Sequence, residues 1–134
     1  VPFIGTVGLR LDTITPGHAV ATLPSRPEVH NHMGTCHAGA VYTLGESASG
    51  GVVLSVFADL LPNAFIALKQ ATVTHTRAAP GDVVATATLQ GDPAQTRATY
   101  DQTGKVDFDV EVAFAVGETD VARMVYTWAV RAPR

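Results

Sequence analysis

From Val106 to Val116 the chain alternates without a break. Val106, Phe108, Val110, Val112, Phe114 and Val116 fall on one side, and Asp107, Asp109 and Glu111 on the other. A period of two sends successive side chains to opposite faces of a strand, so one face meets a core and the other meets water. Past Gly117-Glu118-Thr119-Asp120, which reads as a hairpin loop, Ala122, Met124, Tyr126, Trp128 and Val130 alternate in the same way with Arg123, Val125 and Thr127. Earlier, Gly8–Ile14 and His18–Pro24 flank Thr15-Pro16-Gly17 as a first hairpin, followed by a polar loop from Ser25 to Cys36. Ile66–Ala78 is a long run of β-formers that Ala79-Pro80-Gly81-Asp82 turns into Val83–Gln90.

Two segments depart from this period. Ala38–Ala58 is small or apolar on all sides, which predicts one long buried helix that Leu61-Pro62-Asn63 separates from the next strand. Asp92, Pro93 and Gln95 supply an N-cap, a first-position proline and a third-position glutamine, predicting a short helix to about Thr103. Two strands, a long helix and four further strands predict an α+β fold, an antiparallel sheet with its helix on one face. Each glycine in a helix costs about 1 kcal/mol relative to alanine. Local preference therefore does not explain Gly45, Gly50 and Gly51 beside Ala48, and close approach of a neighbouring element does. A curved sheet wrapped around one central helix satisfies that requirement. The 134 residues carry no internal repeat and predict one domain, 1–134.

Composition narrows the partners. Charged residues are 16% of the chain, against about 25% in average soluble domains. That is little charge to cover a monomer, so burial of apolar surface between copies is expected, as a homodimer at least. The net charge is −3 and the nine Lys and Arg are scattered along the sequence, so no basic field for nucleic acid is expected. A single cysteine, Cys36, forms no internal disulfide and suits a reducing cytoplasm. The long helix is interrupted by glycines, serines and Glu46, which makes it a poor membrane span and predicts a soluble protein. The first residue is Val1 rather than Met, which leaves room for a removed upstream segment.

Glu46 is the only charged residue between Ala38 and Ala58. A carboxylate midway along a buried helix is unfavourable unless something binds it or reacts with it. Upstream, NHMGTCHAGAVYTLGE contains Asn31, His37 and Glu46. The first-turn amides of Ala38, Gly39 and Ala40 carry the positive end of the helix dipole and can hold a developing oxyanion, and the small residues Ala38 and Gly39 admit a ligand closely. Glu46 lies eight residues past Ala38, a rise of about 12 Å. Amide and carboxylate of one chain therefore do not meet at one carbon, and a second copy placed helix to helix would bring them together. Taken singly, His37 reads as a helix cap, Asn31 as a turn residue and Glu46 as a structural carboxylate at a dimer seam. His30, His32, Cys36 and His37 form H-x-H-x-x-x-C-H, but no second ligand pair follows and adjacent Cys36 and His37 would strain to share one ion, so no metal is expected. Cys36 as a nucleophile lacks an orienting acid.

Asn31, His37-Ala38-Gly39 six residues later and Glu46 nine past His37 resemble the signature of hotdog-fold acyl-CoA thioesterases of the phenylacetyl-CoA and 4-hydroxybenzoyl-CoA type. THTRAAPGDVVATATL is similar to that family's strand-turn-strand segment. GTCHAGAVYTLGESASG is most similar to a branch whose members mostly lack an assigned substrate. The resemblance implies a hotdog fold that hydrolyses an acyl-CoA thioester, as a homodimer or a dimer of dimers, without a metal or bound cofactor. It implies Glu46 as nucleophile or general base, the Ala38 amide polarising the carbonyl, His37 shaping the helix start and Asn31 holding water or the thioester. His75, Lys69 and Arg77 share one face of the third strand by parity. The bland reading of that face is a solvated edge, and the functional one has Arg77 with Lys69 meeting the phosphates of coenzyme A. Two positions depart from the pattern: Ala38 stands where many relatives carry glycine, and Gly50 where many carry a hydroxyl residue one turn past the acid. Both departures permit a second reading, a hotdog domain that binds acyl-CoA or a hydrophobic ligand without turning it over. A hydratase is unsupported, since neither D-x-N-x-x-H nor H-F-P is present.

Overall fold

The computed structural model describes residues 1–134. Six antiparallel strands form one sheet around a central helix: β1 (Arg10–Thr15), β2 (His18–Leu23), α2 (Ala38–Phe57), β3 (Phe65–His75), β4 (Val83–Leu89), α3 (Pro93–Thr103), β5 (Lys105–Val116) and β6 (Thr119–Arg131), preceded by a short helix α1 (Pro2–Val7). The spatial order is β1-β2-β4-β5-β6-β3, so β1 and β3 are the edges. This is the α+β fold expected from the order of elements, with the sheet wrapped around α2, and the hotdog architecture that the resemblance implies.

The alternation in the last third sets the register. Phe108 lies opposite Trp128, Val110 opposite Tyr126 and Val112 opposite Met124, and these pairs turn the apolar face inward. On the facing helix, Leu44, Ala48 and Val52 are fully buried against this surface and against Ala19, Ala21, Ala85 and Ala87 of β2 and β4. Small residues on both sides bring helix and sheet close together. At Gly45 an added Cβ would run into the Tyr126 hydroxyl and the Phe114 ring, so glycine here is required by contact and not by backbone angle. By length and composition α2 with its extension to Leu60 could cross a membrane, but 56% of that apolar stretch is buried inside the sheet.

Three boundaries differ from the sequence expectation. The predicted four-residue hairpin loop tightens to Gly117-Glu118, with Gly117 at φ +58 and Val116 paired to Thr119; glycine at the first central position suits such a two-residue turn. Strand β3 stops at His75, short of Ala78, and Lys69 is an extra residue between Leu68 and Gln70 in its pairing with β6. The bulge breaks the parity that had put Lys69, His75 and Arg77 on one face. The third difference is α1, which six residues are too few to announce by periodicity. It is held from outside, because the Arg26 guanidinium donates to the Thr6 and Val7 carbonyls at 2.8 and 2.5 Å. The α3 cap is as expected, with the Asp92 carboxylate accepting from the Gln95 amide at 2.9 Å.

Candidate active site

The loop before α2 is built from its own polar groups. The Asn31 side-chain oxygen accepts from the Met33 and Thr35 amides at 2.9 and 3.1 Å, and its amide nitrogen donates to the Thr35 hydroxyl at 2.9 Å. Gly34 takes φ +77 at the tip, and His30 and Cys36 bridge the base. Two backbone bonds tie this loop to the body: Cys36 N–H donates to the Ala79 carbonyl at 2.9 Å and His37 N–H to the Val29 carbonyl at 2.8 Å. The start of α2 is thereby fixed beside the turn between β3 and β4.

At that start, His37 is the N-cap, its Nδ1 accepting from the Gly39 amide at 2.8 Å. An accepting Nδ1 leaves the imidazole proton on Nε2. The Ala40 and Val41 amides donate to the His37 carbonyl at 2.9 and 3.1 Å. Of the three amides expected to be free, Gly39 and Ala40 therefore have acceptors within the chain, and the exposed Ala38 N–H has none. One directed donor remains for a ligand oxygen.

Glu46 lies two turns further on. Gly39, Thr43, Glu46, Gly50 and Leu54 recur every three or four residues and are exposed or half-buried, the stripe of α2 that the sheet leaves uncovered. The Glu46 carboxylate has no hydrogen bond and no ion pair within the chain. Burial pushes its pKa above the ordinary value of 4.5. Its charge is close enough to Tyr126 to help raise that phenol, after burial and Tyr42, so Tyr126 stays neutral and donates to the Tyr42 carbonyl at 2.8 Å. The nearby hydroxyls do not point toward the acid's side chain. Ser49 donates to the Glu46 carbonyl at 2.8 Å and accepts from Trp128 Nε1 at 3.0 Å, whereas Ser47 is buried with no partner. At Gly50 there is only space, with Trp128 3.9 Å from where a Cβ would sit.

The fold gathers some of the sequence candidates and separates others. Asn31, Ala38 and Arg77 line one groove of about 360 Å³ with Val41, His75 and Val121. His37 and Gly39 line an adjoining groove of about 370 Å³ with Phe3, Val7, Ala40 and Thr43. Glu46 lines neither, as the helical rise requires. Lys69 is not brought to Arg77: it donates to Asp107 at 2.7 Å, a carboxylate that also pairs with Arg131 at 2.7 Å. The H-x-H-x-x-x-C-H residues disperse as well. His30 Nε2 meets the Ser25 hydroxyl at 2.8 Å, His37 caps the helix, and burial raises the Cys36 thiol, holding it protonated. No three His, Cys, Asp or Glu side chains converge in the way a metal ion requires. Sequence reasoning passed over Thr35 and Tyr126, which anchor the loop and adjoin the acid. Tyr126 bonds to a carbonyl 84 positions away, and no local signal announces such a partner.

A sequence profile described as a domain of unknown function, DUF4442, matches residues 1–130. No curated protein matches the sequence. Among solved structures, a Pseudomonas aeruginosa protein of unknown function described as a probable thioesterase is 25% identical, with a TM-score of 0.86 over 98% of this chain and 88% of that one. A thioesterase family protein from Silicibacter pomeroyi is 21% identical with a TM-score of 0.80, covering 98% and 90% of the two chains. A variant of the phenylacetic acid degradation protein PaaI from Thermus thermophilus is 20% identical with a TM-score of 0.75, covering 98% and 99%. The first two of these carry the word thioesterase in their descriptions, and the last two, at 21% and 20% identity, bear on the fold alone.

Proposed function

The chain belongs to the DUF4442 family, and we propose that it hydrolyses an acyl-CoA thioester in a groove that a second copy completes. One observation carries the proposal: Glu46 is an unpartnered, half-buried carboxylate on the single stripe of α2 that the sheet leaves open. The thioesterase descriptor of the Pseudomonas neighbour agrees with it.

The chemistry uses two groups of this chain. The Ala38 N–H, with the helix dipole behind it, receives the carbonyl oxygen of the thioester and stabilises the negative charge that develops there. Glu46 of the other copy takes a proton from water as the water oxygen bonds to the carbonyl carbon. The tetrahedral oxyanion then collapses, the C–S bond breaks and the proton passes to sulfur, leaving a carboxylic acid and a free thiol. Direct attack by Glu46 would give a mixed anhydride that water then cleaves. Both routes need the ionised carboxylate. Asn31 keeps one side-chain N–H free of the loop's own bonds to hold water or the thioester, His37 fixes the first turn, and Gly39 and Arg77 border the substrate's path.

The second copy is called for by the β3 edge as well as by the 12 Å rise. β3 is eleven residues long, unpaired along one side, with Phe65 63% and Val73 43% exposed. Such an edge is a template for another strand. Antiparallel pairing of two β3 strands sets the helices side by side behind a continuous sheet. An active monomer in sedimentation would end this part of the proposal.

A second reading, ligand binding without turnover, is favoured by the empty space at Gly50, where no hydroxyl stands beside the acid. Thiol release over a panel of acyl-CoAs separates the two readings. Glu46→Gln is expected to lower the rate by about 10²- to 10⁴-fold with the fold retained. Equal rates for wild type and variant would leave only the binding reading.

A further inference from the structure

The largest groove in the molecule, about 620 Å³, is not at the start of α2. It lies at the opposite end of β3, lined by Phe65, Gly104, Lys105, Arg131 and Arg134 among others. Three of the chain's nine Lys and Arg meet there and no Asp or Glu side chain lines the groove, in a protein of net charge −3. Arg131 is held in place by bonds to the Val106 and Val130 carbonyls and by Asp107, whereas Lys105 has no carboxylate partner. Beside these cations, Phe65 exposes an aromatic ring on the sheet edge. An exposed ring flanked by cations suits a ligand with one flat heterocycle and several phosphates.

We propose that this groove binds the nucleotide end of coenzyme A, the adenine against Phe65 and the phosphates on Lys105 and Arg131, and that it serves the thioester groove of the other copy. The proposal rests on the thioesterase reading and on the β3 pairing. Within one chain, Phe65 and His75 end the same strand roughly 33 Å apart, so the two grooves of one copy lie at opposite ends of it. Antiparallel self-pairing over the full strand reverses this, because Phe65 of one copy then lies opposite His75 of the other. His75 lines the groove that contains Ala38 and Arg77. The basic groove of one copy therefore adjoins the acyl groove of its mate, and Arg77 stands between them to meet the pyrophosphate.

The test uses the intact protein and two probes. Adenosine 3′,5′-bisphosphate is titrated calorimetrically into wild type, Lys105→Glu and Phe65→Ala; both positions are exposed, and unchanged melting temperatures verify the fold. Each substitution is expected to weaken binding about tenfold. In parallel, KM is measured for an acyl-CoA and for the same acyl group on pantetheine. Lys105→Glu is expected to raise the first about tenfold and to move the second less than twofold, with kcat held. No binding to wild type, undiminished binding to both variants, or an unchanged KM for the CoA ester overturns the proposal. If the bisphosphate binds through Lys105 and Phe65 but no thiol is released from any ester, the nucleotide site stands and the hydrolytic reading fails.

Discussion

On the side of α2 turned to the sheet, Leu44, Ala48 and Val52 are fully buried, and Gly45 omits the one carbon that would strike Tyr126 and Phe114. On the stripe turned away, Gly39, Thr43, Glu46, Gly50 and Leu54 are exposed or half-buried. The two sides use similar small residues for opposite purposes. Toward the sheet, small size is consumed by contact, at Gly45 with Tyr126 and Phe114 and at Gly51 with Ala19, Ile14 and Leu11. Away from it, small size leaves room around a carboxylate that has no partner. Composition along the helix does not separate these cases, whereas the atoms across from each position do.

The difference can be tested from its most consequential residue downward. Glu46→Gln should lose about 10²- to 10⁴-fold in thiol release, while its melting temperature stays at or above the wild-type value, because an ionised carboxylate is removed from a partly apolar site. A loss of activity together with a loss of folding would assign Glu46 to structure. Gly45→Ala should destabilise by about 1 to 3 kcal/mol in denaturant titration, since the added carbon meets an aromatic ring and a phenol in a packed core. Gly50→Ala reverses the sign. Its Cβ makes an ordinary contact with Trp128, and the gain in helix propensity should stabilise by up to about 1 kcal/mol. If Gly45→Ala and Gly50→Ala shift the midpoint equally, the two sides of the helix do not differ as described.

The smallest effect is in pH. The Glu46 pKa is raised in the folded state, so the folded chain holds its proton to higher pH than the unfolded chain does. Between the two pKa values the native state binds more protons, and stability falls as pH rises through that window. Activity runs the other way. The ionised form is the reactive one, so kcat/KM should rise with pH along a limb whose midpoint lies above 4.5, and Glu46→Gln should abolish that limb. A limb at or below the ordinary carboxylate value would remove the argument from burial.

Much of the fold could be read directly from the residues. The β5 and β6 alternation, the all-round apolar helix and the Asp92 cap each depend on neighbours within a few positions, and all three appear as expected. The candidate site was partly visible for the same reason. Asn31, His37 and Glu46 are close in sequence, and a lone acid in an apolar run stands out without coordinates. Lys69 illustrates where that reasoning stops: its partner Asp107 is 38 positions away, and the bulge beside it changes the face it shares.

Periodicity, caps and the isolated Glu46 were thus determined by the sequence alone, because they arise from local geometry and from the cost of burying a charge. The His37 cap is local too, and it leaves one first-turn amide free, since its ring and its carbonyl occupy two of the three. Tertiary structure decided that Phe65 and Lys105, distant from each other and from the end of the chain, line one groove with Arg131 and Arg134. That outcome depends on which distant atoms the folded sheet brings within a few ångströms, and no spacing along the chain encodes that distance.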